Sequence, residues 1–319
     1  MRPMGPSVHA KGRASARARR RDRTFRSGTI VILLVVMLIG GALAGACGGD
    51  TASSDAASSS PSPVVSASPP LPGYPATPPA GAPTLTAEEE AWLAEKGTLE
   101  VGAFNDYPPF SFQPFEGGEA TGIAVDYWKL IAYRLGVEVA FTPTFFSDQL
   151  EGLKDGRFDS LTGIFPLEER KQWFAFTRAW FMIDTRIFTD AAHKSDKTLA
   201  SLKGLTVSVV KDDSGQQIAD DAGLETLVVE SYPEAVKAVG EGRAQAMILD
   251  QPVGEYYVKE FGYKGKVAAV GKPVASGEMT LPVRKDDTVL LAILQKGIGM
   301  VGEAEFEGIY ETYMGAGGD

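Results

Sequence analysis

The chain has 319 residues, 31 Lys+Arg against 41 Asp+Glu, and a formal net charge of −10, but residues 1–46 hold nine basic side chains and one acid, so residues 47–319 carry a balance of −18. A body that acidic is repelled by phosphate backbones, which argues against nucleic acid as a partner. With two histidines (His9, His193) and one cysteine (Cys47) in the whole chain, Cys/His zinc sites and an intramolecular disulfide are excluded, and His-based nucleophilic centres have only His193 to draw on.

Residues 30–47 are uncharged and follow an arginine cluster. A basic start, an apolar core and small residues after it describe a secretory signal over residues 1–46. The stretch is marginal as a spanning helix, which needs about 20 apolar residues. Its end, Leu43-Ala44-Gly45-Ala46-Cys47, resembles a bacterial lipobox in which Cys47 is lipidated; the alternative is an uncleaved signal anchor. Both readings export the body and hold it at the outer face of the cell membrane. Residues 47–84 are dominated by Ser, Ala, Pro, Gly and Thr, a composition that cannot bury a core and reads as a disordered tether.

The globular part starts at Leu85. Thr86-Ala-Glu-Glu89 is a capping box, which predicts a leading helix within residues 85–97. Leu99–Phe104 reads as a strand, and Ile123–Leu135 as a helix closed by Gly136. Val137–Phe141 is a strand, Asp148–Asp155 a helix and Phe158–Ile164 a strand. In the second half Leu205–Val210 is a strand, Ser214–Asp221 a helix and Thr226–Val229 a strand. Ser231-Tyr-Pro-Glu234 opens a helix to Glu241, followed by the strand Ala244–Leu249. Such alternation implies parallel βαβ units. An acid-Gly-Arg turn between helix and strand occurs in both halves, at Asp155-Gly-Arg157 and Glu241-Gly-Arg243. That echo points to two similarly built lobes. His193, in the polar run Ala-Ala-His193-Lys-Ser-Asp, reads as a solvated loop residue.

Four features carry chemistry, each with a plainer alternative. Asn105-Asp-Tyr-Pro-Pro-Phe110 follows a strand, where loops of an open α/β sheet line the ligand crevice. It offers an aromatic wall or is a packed turn. Arg170 presents a planar fork that matches a carboxylate, or pairs with Glu168 or Glu169. Ser214-Gly215 begins a helix, whose N–H groups attract anions, or is an ordinary cap. Asp250 ends an apolar strand and would accept from an ammonium group, or caps the helix that begins near Gln251. Together a guanidinium and an anion-binding helix end, with a carboxylate and aromatics, form the complement of a zwitterion.

At these motifs the chain resembles a known family. Residues 98–314 are similar to the extracellular solute-binding proteins of family 3, the polar amino-acid-binding components of ABC importers. The resemblance runs through Asn105–Phe110, Gly122–Ile131, Gly163–Arg170 with Phe176-Thr177, Val207–Gly215 and Ala244–Asp250. It implies an α/β fold of the two-lobed periplasmic-binding-protein type (type II clamshell), each lobe a mixed sheet flanked by helices. Lobe one would span residues 98–188 plus 277–319, and lobe two residues 189–276. Two crossing hinge segments would lie near Thr189 and Ser276. By resemblance, Arg170 grips a ligand carboxylate with Gly163 and the Ser214-Gly215 helix end, Asp250 takes the ammonium, and Tyr107 and Phe146 sandwich the side chain. Phe104 and Phe165 stand where relatives place polar residues, and Lys211 remains as a polar contact.

The function so implied is capture of an amino acid or similar small zwitterion by lobe closure and its delivery to an ABC permease in the membrane. The expected protein is a monomer, not an enzyme, with no cofactor and no metal. Alternatives are a ligand-sensing subunit signalling to a membrane partner, or a clamshell-fold dehydratase.

Overall fold

The computed structural model describes residues 77–195 and 198–315. The expected signal segment, Cys47 and most of the expected tether lie outside the described residues. The tether's last residues differ from expectation. Ala82 and Leu85 pack against the hydrophobic core, and Pro83 lies against Gly299, so the chain joins the folded body before residue 84. Apolar side chains within that Pro-rich stretch find a surface to cover, which composition alone does not reveal. Among the described residues no helix is long and apolar enough to cross a membrane.

The leading helix α1 (Ala87–Lys96) starts on the expected capping box. Thr86 Oγ1 accepts from Glu89 N at 3.2 Å, and Thr86 N donates to the Glu89 carboxylate at 2.7 Å. Two ion pairs fasten α1 to the body: Glu89 meets Lys296 at 2.6 Å, and Lys96 meets Asp159 at 2.8 Å.

The first lobe is built from β1 (Thr98–Phe104), the hairpin β2 (Asp106–Tyr107) and β3 (Ser111–Phe112), α2 (Ile123–Leu135), β4 (Glu138–Thr144), α3 (Phe146–Lys154), β5 (Ser160–Leu161) and β6 (Phe174–Phe176). Its sheet has the order β4-β1-β5 with parallel pairing. Helix α2 is nearly all apolar on its inner face. Trp128 is fully buried there and donates Nε1 to the Leu161 carbonyl at 3.0 Å. Gly136 ends α2 in the left-handed conformation (φ 69°), as its lack of Cβ favours. The strand expected over Phe158–Ile164 shrinks to β5. Gly163 takes φ 155°, turning the chain out of the ladder so that Ile164 bridges Thr280 instead.

Strand β7 (Phe181–Asp190) leads into the second lobe. There follow β8 (Thr206–Val210), α4 (Ser214–Asp221), β9 (Glu225–Val229), α5 (Tyr232–Gly240), β10 (Ala246–Asp250), α6 (Gln251–Glu260) and β11 (Val267–Met279). The sheet order is β11-β7-β10-β8-β9. Strand β8 is parallel to β9 and β10, whereas β7 is antiparallel to β10 and β11. The chain returns through β12 (Pro282–Arg284), paired with β6, and finishes in α7 (Thr288–Gly299) and α8 (Glu303–Met314), which pack on α2.

β7 and β11 are therefore the two segments that join the lobes. Their ladder runs from Phe181↔Met279 to Asp190↔Val267, with an irregularity between Val270 and Ala275. Because β7 pairs with β10 from Thr185 onward, the first crossing comes ahead of the expected Thr189, while the second includes Ser276. The echo between halves is real in geometry: Gly156 and Gly242 both turn with positive φ, 78° and 81°. Only half of the second capping box forms, with Ser231 Oγ accepting from Glu234 N. His193 closes a short 3-10 turn, its ring nitrogen 2.8 Å from Asp190 Oδ1.

Candidate functional site

The C-terminal ends of the strands in both sheets face one another, the usual place for a ligand in open α/β sheets. Phe104 ends β1, Tyr107 sits in β2 and Phe146 opens α3. The bend at Gly163 and the turn that follows bring Phe165 and Arg170. From the other lobe come Asp213 before α4, Tyr232 at the start of α5 and Asp250 at the end of β10. The lobes are shut: the cavity between these side chains holds only about 10 Å³, room for roughly one water.

Aromatic rings fill most of it. Phe104 stacks on Tyr107 at 4.7 Å and on Phe146 at 5.3 Å, and Tyr107 meets Tyr232 at 4.9 Å. The Arg170 guanidinium lies 5.0 Å over the Phe146 ring, a cation–π contact in a desolvated place. Phe165 lies over Gly277, where a Cβ would stand 2.4 Å from its ring.

Arg170 is only 4 % exposed. Its Nη1 donates to the Phe165 carbonyl at 3.0 Å and its Nη2 to the Asp212 carbonyl at 2.7 Å, across the lobes. It does not take the surface pairing with Glu168 or Glu169. Burial pushes its pKa down, and the Asp213 carboxylate opposes that.

Asp250 occupies the N-cap position of α6 but makes no side-chain cap. Its two oxygens accept instead from the Tyr107 hydroxyl at 2.5 Å and the Thr185 hydroxyl at 2.7 Å. Burial raises its pKa to about 7, the nearby Asp213 adds to the rise, and the two hydroxyls oppose it. Asp106 behaves alike. Burial lifts it to about 7, against the hydrogen bond from Tyr232 N at 3.1 Å, and Asp213 contributes further.

Asp213 was not among the expected site residues. It is the N-cap residue of α4, yet its side chain makes no cap hydrogen bond. It is 7 % exposed, it lines the cavity, and its Oδ2 has no hydrogen-bond partner. Burial raises its pKa, with Arg170, the Ser214 N–H and hydroxyl and the Tyr232 hydroxyl pulling the other way.

Of the ten expected ligand-binding residues, Phe104, Tyr107, Phe146, Gly163, Phe165, Arg170 and Asp250 line the cavity. Three do not. Lys211 points to the surface and pairs with Glu230 at 3.5 Å; its long stem reaches solvent more cheaply than a sealed aromatic site. Ser214 is buried at N1 of α4 and lines a different cavity, with Phe165 and Thr185. Gly215 is needed for packing, since a Cβ there would stand 2.4 Å from the Ile248 carbonyl oxygen. The lining residues missed are Asp213, Tyr232, Ile164 and Met279, with Thr185 behind them as a partner of Asp250. Tyr232 and Asp213 each sit just after a strand and at a helix start, and the strand-exit rule that found Asn105–Phe110 points to both.

The walls thus offer one guanidinium, two carboxylates and five aromatic rings.

Comparison with known proteins places this fold. A model of the bacterial extracellular solute-binding proteins, family 3, matches residues 99–316. A probable amino-acid ABC transporter-binding protein of Haemophilus influenzae is 30% identical over 209 residues, covering 63% of this chain and 80% of its own. The L-cystine-binding protein TcyA of Bacillus subtilis is 26% identical over 225 residues, covering 66% and 84%. Among solved structures, an ancestral arginine-binding protein bound to arginine superposes with a TM-score of 0.63 at 31% identity, covering 69% of this chain and 99% of that one. The shut two-lobed α/β architecture and this match over most of its length agree: the chain belongs to the bacterial extracellular solute-binding proteins, family 3.

Proposed function

We propose that this protein captures a small ammonium-bearing solute, an amino acid or a related amine, by closing its lobes around it and delivers it to an ABC permease. The observation that carries this reading is Asp250. It is a carboxylate 2 % exposed, at a strand end between two lobes, ringed by aromatic faces. A carboxylate has about four acceptor sites, so two hydroxyl donors leave room for a ligand N–H. The relatives named above for amino acids and cystine support the same solute class. Secretion and acylation at Cys47 would hold the protein on the outer face of the membrane. Binding without turnover is the proposed role.

The test is a thermal-shift screen of the full-length chain in detergent against the twenty L-amino acids and their decarboxylated amines. A ligand that binds only the folded state stabilises it by about 2.7 kcal/mol at a hundredfold excess over Kd. We expect one chemical group of compounds to raise the melting temperature. No shift with any of them overturns the reading. Mass spectrometry of the Cys47 peptide from membranes, expected to carry acyl chains, tests the anchor.

A further inference from the structure

From Asp213 we infer that the ligand is an organic amine cation without a carboxylate, because the protein's own side chain sits in the anion seat of the site. The inference rests on the capture reading above and narrows its ligand.

That seat is formed by the Arg170 guanidinium and the N-terminal end of α4, the two features that would otherwise receive a ligand carboxylate. In the structure the residue at that helix end is Asp213, buried, facing the cavity together with Arg170, and balancing its charge. Both terminal nitrogens of Arg170 donate to backbone carbonyls, which leaves three of its five N–H groups. A carboxylate brought in by a ligand would set a second anion beside Asp213 in a place closed to water, where like charges repel with little screening.

Three buried atoms here lack a hydrogen-bond partner, Arg170 Nε, Ser214 Oγ and Asp213 Oδ2, and Arg170 and Ser214 both act on the Asp213 carboxylate. Asp213 Oδ2 is buried with no hydrogen-bond donor, and a buried acceptor left without a donor is costly. An ammonium or guanidinium N–H satisfies it; a carboxylate cannot. The charge balance agrees, since Asp213 and Asp250 face a single guanidinium. Tyr107, Phe104, Phe146 and Tyr232 add π faces, which attract cations and not anions. Asp250 and Asp213 stand on neighbouring elements of one lobe, so a ligand with two cationic ends, or one ammonium and an apolar body, fits the walls.

The experiment uses matched pairs that differ only in the carboxylate: ornithine and putrescine, arginine and agmatine, tyrosine and tyramine. Calorimetry on the full-length chain in detergent reads affinity for each. The expected result is at least a tenfold preference for the amine in one or more pairs. In Asp213→Ser, which keeps Arg170 and the helix end, that preference should vanish or invert. Asp213→Asn, with the same shape, serves if the serine variant does not fold, and circular dichroism melts decide that. An amino acid binding tenfold tighter than its amine overturns the inference and leaves capture standing, as does a preference that neither variant changes. If no member of any pair, and none of the wider amino-acid and amine screen, binds, the capture reading itself falls and takes this one with it.

Discussion

Asp250 is the residue at which position and role part company. Its place before α6 suits a helix cap, yet its oxygens serve Tyr107 and Thr185. Asp250→Asn keeps the shape and removes the charge. Binding of a cationic ligand should fall by about 2–5 kcal/mol, as when one partner of a buried charge pair is lost, while the empty protein should melt no lower at pH 7, where it no longer has to ionise this buried acid. Calorimetry and thermal melts read the two effects separately. The acids also set a pH dependence. Asp250 faces the Tyr107 and Thr185 hydroxyls, with Arg170 and Asp213 nearby; Asp106 faces Tyr232 N–H and Asp213, and its carbonyl accepts from Tyr257. Both acids rise from an ordinary 3.8 to about 7 in the fold. A raised acid gives the empty folded state stability that is complete below about 4 and is lost as pH climbs to about 7. A cationic ligand needs Asp250, which lines the cavity, in its ionised form, so its affinity should rise over the same window, by up to about tenfold per pH unit. Melting curves between pH 5 and 8 should therefore diverge, the empty protein weakening and the ligand's stabilising shift growing. Parallel curves would remove Asp250 from the binding step.

Among the elements, α4 and α8 make opposite cases for glycine. Gly215 lets α4 approach β10 so closely that a Cβ would meet the Ile248 carbonyl at 2.4 Å. Backbone cannot give way as a side-chain tip can, so Gly215→Ala should cost about 1–3 kcal/mol in urea unfolding and weaken binding, because α4 carries Asp213 and β10 carries Asp250. Gly308 lies inside α8 with open space where its Cβ would be; Gly308→Ala should add about 0.4–1 kcal/mol. These elements were readable from the sequence where local signals were strong: the box at Thr86, the stripe of α2 ending at Gly136, and α4 from Ser214 to Asp221. What escaped depended on distant partners. β5 is cut short by a bend at Gly163 that only its packing on Met279 explains. β7 is assigned to a lobe by its pairing with β10, some sixty residues later in the chain. The same holds at the site. Residues on strand exits with a chemical signature, such as Tyr107, Arg170 and Asp250, were legible. Tyr232 and Asp213 were hidden because each doubles as the opening of a helix, and Lys211 was drawn in by charge although its side chain turns outward.

At the scale of the whole molecule, hydrogen bonds between the lobes contribute to the shut arrangement. Tyr107 donates to Asp250, Tyr232 N donates to the Asp106 carboxylate, Tyr257 donates to the Asp106 carbonyl, and Arg170 donates to the Asp212 carbonyl. Each joins an element of the first lobe to one of the second, while β7 and β11 carry the chain between them. These bonds favour the shut arrangement over an open one, and a ligand that prefers the shut arrangement adds to them. The Tyr107 bond tests that balance. A hydrogen bond to a charged group contributes about 1.5–3 kcal/mol, and one of that size moves an open–shut equilibrium by roughly tenfold to a hundredfold. Tyr107→Phe keeps the ring that stacks on Phe104 and removes only the hydroxyl. In solution scattering, the empty variant should show a larger radius of gyration than the empty parent protein, and saturating ligand should bring the two together. Equal values for the empty proteins would mean that Tyr107 plays no part in holding the lobes shut, and would leave closure to Asp106 and Arg170.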